Sequence, residues 1–259
     1  MTFTLIALLT TACIFAGILI FSEIGRRLGL AKLKRDPNGL ANGVGAAESA
    51  VFGLLGLVIA FTFSGAASRF EERRHLITQE ANAISTAYLR VDLLPADVQP
   101  EIRTLFRRYL ELRSNSYQST ENQTATRQKL DETAALQIKI WQKVLTASRK
   151  PNEPVSSATL LLPALNDMID ITTTRAMATK NHPPFIVFLL LAGLSFAGAL
   201  LVGYDMSDNR ERSLLHTFAF AAIMSLALYV IIDLEFPRLG FINIDKADQV
   251  FMELQKSMN

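Results

Sequence analysis

Four stretches of the chain carry apolar side chains almost without interruption, at residues 3–21, 50–67, 184–204 and 214–232. Each is long enough, or nearly so, to cross a hydrocarbon layer, which takes about 20 helical residues. Backbone in lipid has no water to bond to and must satisfy its polar groups internally, so all four are predicted to be helices. Between the second and third stretches the pattern changes to one apolar face per helical turn. Val98, Ile102, Leu105, Phe106, Tyr109 and Leu112 share one such face, and Leu130, Ala134, Ile138, Trp141 and Leu145 a second. Leu161, Leu165, Met168, Ile169, Thr172 and Ala176 form a third. This periodicity predicts amphipathic helices that bundle together. Breaks are expected at Pro95, in the polar stretch 114–126, at 151–154 and at His182-Pro183-Pro184.

The expected fold class is therefore all-α: an integral membrane protein with four transmembrane helices and a helical extramembrane domain inserted between the second and third. The boundaries are residues 1–67 for transmembrane helices 1 and 2, 68–182 for the helical domain, 183–234 for transmembrane helices 3 and 4, and 235–259 for a C-terminal tail. Residues 22–47, basic and glycine-rich, read as a loop, and 205–213 as a polar hairpin. Nothing between Gly65 and Leu94 breaks a helix. A single helix from about Gly45 to Leu94 would be roughly 75 Å long and would carry the second span into the helical domain as one rod.

Composition narrows the function classes. Charged residues make up 19 % of the chain, below the roughly 25 % usual for soluble domains. The net charge of +2 forms no basic stripe with interleaved aromatics, so nucleic acid is not an expected partner. The single cysteine, Cys13, excludes an intramolecular disulfide and any paired-cysteine metal or redox site. No Lys or Arg precedes the first apolar run, as a signal peptide requires, so that run is expected to be retained as a helix.

No catalytic constellation is present in the pattern of residues. His75, His182 and His216 are far apart and have no zinc-site spacing, and there is no nucleophile elbow, Walker loop or dinucleotide fingerprint. Catalytic residues, metal ligands and cofactors are all expected to be none, and the chain is expected not to be an enzyme. Small-residue runs at Gly53-Leu54-Leu55-Gly56 and Ala197-Gly198-Ala199 read as places where membrane helices approach closely. The informative polar groups lie at the ends of the apolar runs: Glu48, Arg69, Glu72, Arg73 and Arg74 around the second, Asp233, Glu235 and Arg238 after the fourth. Ionisable groups at such positions either anchor the helix by reaching into the interface or serve function. Asp233, Glu235 and Arg238 are expected to form interfacial ion pairs, with Arg69 or Arg238 as the cation.

The stretch Phe61-Thr62-Phe63-Ser64-Gly65-Ala66-Ala67-Ser68-Arg69-Phe70-Glu71-Glu72-Arg73-Arg74 resembles the motif at the end of the second helix of the bestrophins, a family of oligomeric anion channels. Phe61, Arg69, Glu72 and Arg74 match it in register and Phe70 keeps an aromatic, while its Asn pair and Tyr-Asp are absent. Glu235-Phe236-Pro237-Arg238-Leu239-Gly240 is a looser echo of the stretch after the fourth helix. Over nearly its whole length the chain is similar to the bacterial bestrophin-like membrane proteins. That similarity rests on the run from Phe61 to Phe70, Glu80-Ala81-Asn82-Ala83-Ile84, Thr86-Ala87-Tyr88-Leu89-Arg90, His182-Pro183-Pro184 and the run from Asp233 to Gly240.

The resemblance implies a homo-oligomer, with a pentamer favoured, in the bacterial inner (plasma) membrane, conducting small anions along a pore lined by the second helix. Leu57, Phe61 and Arg69 are then the pore-lining residues. Phe61 and Leu57 hold the positions of an apolar neck, whereas its third position falls on Gly53, which is too small to constrict. Arg69 and Arg73 could supply positive charge beyond the neck, but Glu71 and Glu72 nearly cancel them, so charge selectivity stays open at this point. Orientation stays open too. Arg26, Arg27, Lys32, Lys34, Arg35, Arg210 and Arg212 on one side are balanced by Arg69, Arg73, Arg74, Arg175, Lys180, Arg238 and Lys246 on the other. The resemblance places the helical domain in the cytoplasm. The alternative function is a non-conducting membrane scaffold or sensor whose helical domain binds a ligand or protein partner.

Overall fold

The computed structural model describes residues 3–36, 44–116, 123–150, 155–208 and 214–258, and every regular element among them is helical. The order is α1 (Phe3–Arg35), α2 (Val44–Leu89), a 3-10 turn at Arg90–Leu93, α3 (Gln99–Ser116), α4 (Gln123–Ala147), α5 (Val155–Lys180), α6 (Phe185–Asp205), a 3-10 turn at Met206–Asp208, α7 (Leu214–Glu235) and α8 (Asp245–Ser257). Four helical segments are long and apolar enough to cross a membrane: α1, α2, the stretch Ser157–Asp205 that closes with α6, and α7. The chain is a multi-pass membrane protein. It divides into two compact units, Met1–Phe70 with His182–Asn243, and Glu71–Asn181 with Ile244–Asn259.

Helix α2 is unbroken past Arg69 and ends at Leu89. The 3-10 turn then carries the chain to Leu94, whose extended backbone (φ −90°, ψ 160°) is the conformation a following proline imposes. Likewise α5 stops at Lys180, and Pro184 sets the entry of α6.

In the first unit, α1 outruns its apolar stretch and stays helical to Arg35, where a loop was expected from residue 22 on. Two glycines within the part of that loop that is helical, Gly25 and Gly29, are packing positions. A Cβ on Gly25 would overlap the carbonyl oxygen of Leu200, and one on Gly29 would overlap the Ser207 side chain. The reverse holds for Gly203, where a Cβ would overlap the carbonyl oxygen of Ser22. Small residues thus let α1 and α6 meet backbone to backbone, the usual way membrane helices gain contact when lipid is as apolar as their side chains. An Arg27–Glu23 pair at 2.9 Å, one helical turn apart, supports the extension. Residues 37–43 of the expected loop, and 209–213 of the expected hairpin, lie outside the described residues.

Two apolar clusters join the helices of this unit. Ile18, Leu55, Ala199, Ala221 and Met224 form one, bordered by Phe21 stacked on Phe196 at 5.0 Å. Ala66, Leu191, Leu228, Ile231 and Leu234 form the other.

The second unit buries Leu76, Ile77, Ala81, Ile84 and Ala87 of α2 together with Ile102, Phe106, Tyr109 and Leu110 of α3, and Leu161, Leu165 and Met168 of α5. The faces expected on α3 and α5 are the buried ones, although Ala176 is exposed. Helix α4 is turned differently. Leu130, Ala134 and Ile138 are exposed, and Thr133, Ile140, Val144 and Ala147 face inward instead. The inward face carries Gln137, which donates to the Tyr109 hydroxyl at 3.2 Å and to Thr172 Oγ1 at 3.4 Å. Apolar periodicity alone favoured the other face; the polar bonds of Gln137 to α3 and α5 accompany the observed one. The expected tail is not a tail either. Helix α8 packs into this unit through Phe251, which has no exposed surface, and the Met258 carbonyl accepts from Tyr88 and Arg107.

The α1–α6 contact tolerates no added side chain. Gly203→Val is expected to lower stability by about 1–3 kcal/mol or to prevent folding, whereas Gly193→Val, at an exposed position with open space around it, is expected to be nearly neutral. Thermal unfolding in detergent compares the two, and equal midpoints would contradict the close approach.

Candidate functional site

Within its own chain α2 is covered on one side only. Leu55, Thr62 and Ala66 are buried, while Gly53, Leu57, Ala60, Phe61, Ser64 and Ser68 are exposed. At about 100° per residue, Leu57, Ser64 and Ser68 fall within about 60° of Phe61, and the three buried residues lie about 100° or more away. Phe61 is 71 % exposed and Leu57 52 %. The exposed stripe is apolar and bulky at Leu57 and Phe61, and small or hydroxylated at Gly53, Ser64 and Ser68. Gly53 and Gly56, expected to mark a helix contact, have nothing within 4 Å, whereas Gly198 of the other small-residue run meets the Phe52 ring at 3.2 Å.

Two turns beyond Phe61, Arg69 leaves the stripe sideways. Its Nε donates to Glu235 Oε1 at 2.9 Å and its Nη2 bonds the same oxygen. Glu235, the last residue of α7, is fully buried, and its other oxygen lies 3.3 Å from His182 Nδ1. The His182 ring stacks on Phe236 at 4.5 Å, and Phe236 in turn packs on Phe3 at 4.7 Å. A carboxylate at the end of an apolar helix is thereby met by a guanidinium and an imidazole before either charge reaches open lipid.

Asp233, expected as an ion-pair partner, has no ion pair among the described residues. It accepts from the backbone N–H of Ile242 at 2.7 Å, from that of Phe241 at 3.1 Å and from the Tyr229 hydroxyl at 3.2 Å. The carboxylate folds the chain after α7 back over the helix end, and Gly240 is required because a Cβ there would overlap Asp233 Oδ1. Backbone donors displaced the expected arginine because they arrive within ten residues along the chain, with less chain entropy to overcome. Arg238 lies half-buried in the same turn.

Arg73, which could have contributed positive charge to the stripe, is buried in the second unit. It donates to the carbonyl oxygens of Ala178 at 3.1 Å and Asn181 at 2.9 Å, at the end of α5. Those are carbonyls a helix end leaves unbonded, on the negative side of its dipole. The same unit holds a buried carboxylate, Glu80, bonded by Arg113 and Arg175, with Arg175 also over the Phe251 ring at 5.5 Å and 3.9 Å from Asp248. Burial would raise the cost of all three charges, and mutual bonding offsets it. The pattern of apolar faces gives no hint of this network or of His182 meeting Glu235; their only sequence trace is that Glu80 and His182 fall in the stretches similar to the bestrophin-like proteins.

Neutralising one member of a buried pair leaves the other charge without compensation, at a cost of about 3–5 kcal/mol. Glu235→Gln is therefore expected to lower the thermal midpoint in detergent well below that of Glu253→Gln, whose carboxylate is exposed on α8. Equal midpoints would mean that the Glu235 charge is solvated.

No curated protein matches the chain. Among solved structures it is similar to a bacterial bestrophin homologue from Klebsiella pneumoniae carrying a point mutation, with a TM-score of 0.68 at 15 % identity over 94 % of this chain and 98 % of that one. A bacterial bestrophin homologue of the same organism, phased on zinc, gives 0.64 at 14 % identity over 92 % and 97 %. At such identities the likeness establishes the fold. The family model described as the Bestrophin-like domain matches residues 12–249, and the chain belongs to that family.

Proposed function

We propose that the protein is a homo-oligomeric ion channel of the bacterial inner membrane whose pore is lined by α2. The observation that carries this reading is the stripe of α2 left open by its own chain, with Phe61 and Leu57 at its centre. Several copies around an axis, a pentamer by resemblance to the bestrophins, cover that stripe with its own repeats. The open Gly53 and Gly56 let neighbouring helices approach closely. Leu57 and Phe61 then form an apolar ring, and Ser64 and Ser68 a wetter, wider section beyond it. An apolar ring stays dry unless it widens, so it resists ions without any charge of its own. The helical domain would be cytoplasmic, as resemblance implies.

Small anions are the permeant ions that the resemblance implies. The side chains along the stripe add no support for that choice, because Arg69 is paired with Glu235 and Arg73 is buried against the end of α5.

Shrinking the ring tests the pore. The double substitution Leu57→Ala and Phe61→Ala is expected to wet the constriction, raise ion flux through reconstituted liposomes and abolish gating. Wild type and double mutant that both stay oligomeric and both remain silent to halides and to potassium would sink the proposal. The helical domain, acting as a scaffold or sensor, would then be the place to look.

A further inference from the structure

The charged residues that follow the apolar ring are not equally exposed. Arg69, Glu71, Glu72, Arg73 and Arg74 lie on consecutive turns of α2. Arg69 is committed to Glu235, and Arg73, buried, to the carbonyls ending α5. Glu71 and Arg74 hold each other at 2.9 Å. Lys246 lines a shallow hollow with Glu71, Arg74, His75 and Thr78, a group that does not include Glu72. Glu72 is exposed and has no hydrogen bond or ion pair among the described residues.

Direction on the helix singles out the same residue. Glu72 follows Phe61 by eleven positions, which returns it to within about 20° of the Phe61 azimuth, whereas Glu71 lies about 80° away and Arg74 about 140°. The next exposed positions near that azimuth are His75, bonded to Gln79 at 2.8 Å, and Gln79 itself. A side chain on the stripe, one turn past Ser68, is thus a carboxylate that no cation among the described residues answers.

Resting on the pore reading above, we propose that Glu72 sets the charge preference of the channel, and that its ring of carboxylates makes the favoured ions cations. A ring of like charge at a confined mouth concentrates ions of opposite sign and excludes the others, and acidic rings are the usual device for admitting cations. Of the arginines beside it, Arg69 and Arg74 are each paired with a carboxylate, and Arg73 is buried against the end of α5, about 120° from the Phe61 azimuth.

Reversal potentials across planar bilayers under a potassium chloride gradient test the assignment. They are to be measured in wild type and in the Leu57→Ala, Phe61→Ala background, where the wetted ring gives current. The potassium-to-chloride permeability ratio is expected to exceed unity and to fall about tenfold in Glu72→Gln. Glu72→Arg is expected to bring it below unity. Removing the self-compensated pair with Glu71→Gln and Arg74→Gln is expected to leave the ratio unchanged. A conducting Glu72→Gln protein with the wild-type ratio, or a wild type that prefers chloride, would overturn the role of Glu72 while leaving the pore intact. Absence of current in every one of these proteins, all still oligomeric, would remove the pore and this inference together.

Discussion

A fully buried carboxylate at the end of an apolar helix has few options, and Glu235 takes the one that organises the first unit. Its charge must be met by a cation that the fold can deliver, since the side chain has no exposed surface. Arg69 comes from the middle of α2 and His182 from the stretch before α6, so two further segments converge with the end of α7 on two oxygen atoms. The pairing also settles how α2 is rotated. With Arg69 drawn toward α7, Leu55, Thr62 and Ala66 face the packed side of the unit, and Leu57 and Phe61 are left outside it. It further removes a positive charge from the open stripe. The electrostatic character of that stripe is then decided by whichever charged side chain has no such partner.

The first unit is packed very unevenly. Helices α1 and α6 meet at Gly25, Gly29 and Gly203 with no room for a methyl group, so their relative position is fixed at the level of backbone atoms. Helix α2, by contrast, has Gly53 and Gly56 with nothing near them and bulky apolar residues beside them. Small residues in a membrane helix serve close approach, and among the described residues nothing lies within 4 Å of a side chain added at these two. In the proposed assembly the tight α1–α6 contact fixes each subunit, and the open face of α2 is completed by its copies.

The second unit is held by a different balance. Its interior contains not only the expected apolar faces but also the Arg113–Glu80–Arg175 group, and Gln137 bonded between Tyr109 and Thr172. Such groups are costly to bury singly and specific in geometry when all are bonded. They constrain which faces of α3, α4 and α5 turn inward more narrowly than apolar contact would.

Element type and span placement were legible in the sequence, because both follow from local rules. An uninterrupted apolar run leaves backbone no partner except its own helix, and prolines mark several helix boundaries, Pro95 after α2 and Pro184 at the start of α6, although Pro163 sits within α5. Continuity of α2 through Arg69 followed from the same reasoning. The loop was expected to begin at residue 22 because the apolar run ends there and the following stretch is basic and glycine-rich, while the value of Gly25 and Gly29 lies in the α6 backbone they let approach, which no local pattern contains. The face of α4 was misread for a related reason: its apolar stripe and its inward-facing stripe overlap, and Gln137 bonds to residues far along the chain on the latter. The boundary charges show the division most clearly. Sequence put Arg69, Asp233 and Glu235 at the ends of apolar runs and so required partners for them. Only the packing of α2 against α7, and the fold of the turn after α7, gave Glu235 an arginine and Asp233 backbone amides. Partner choice depends on distances between helices, and those are set by side-chain packing that a linear pattern does not record.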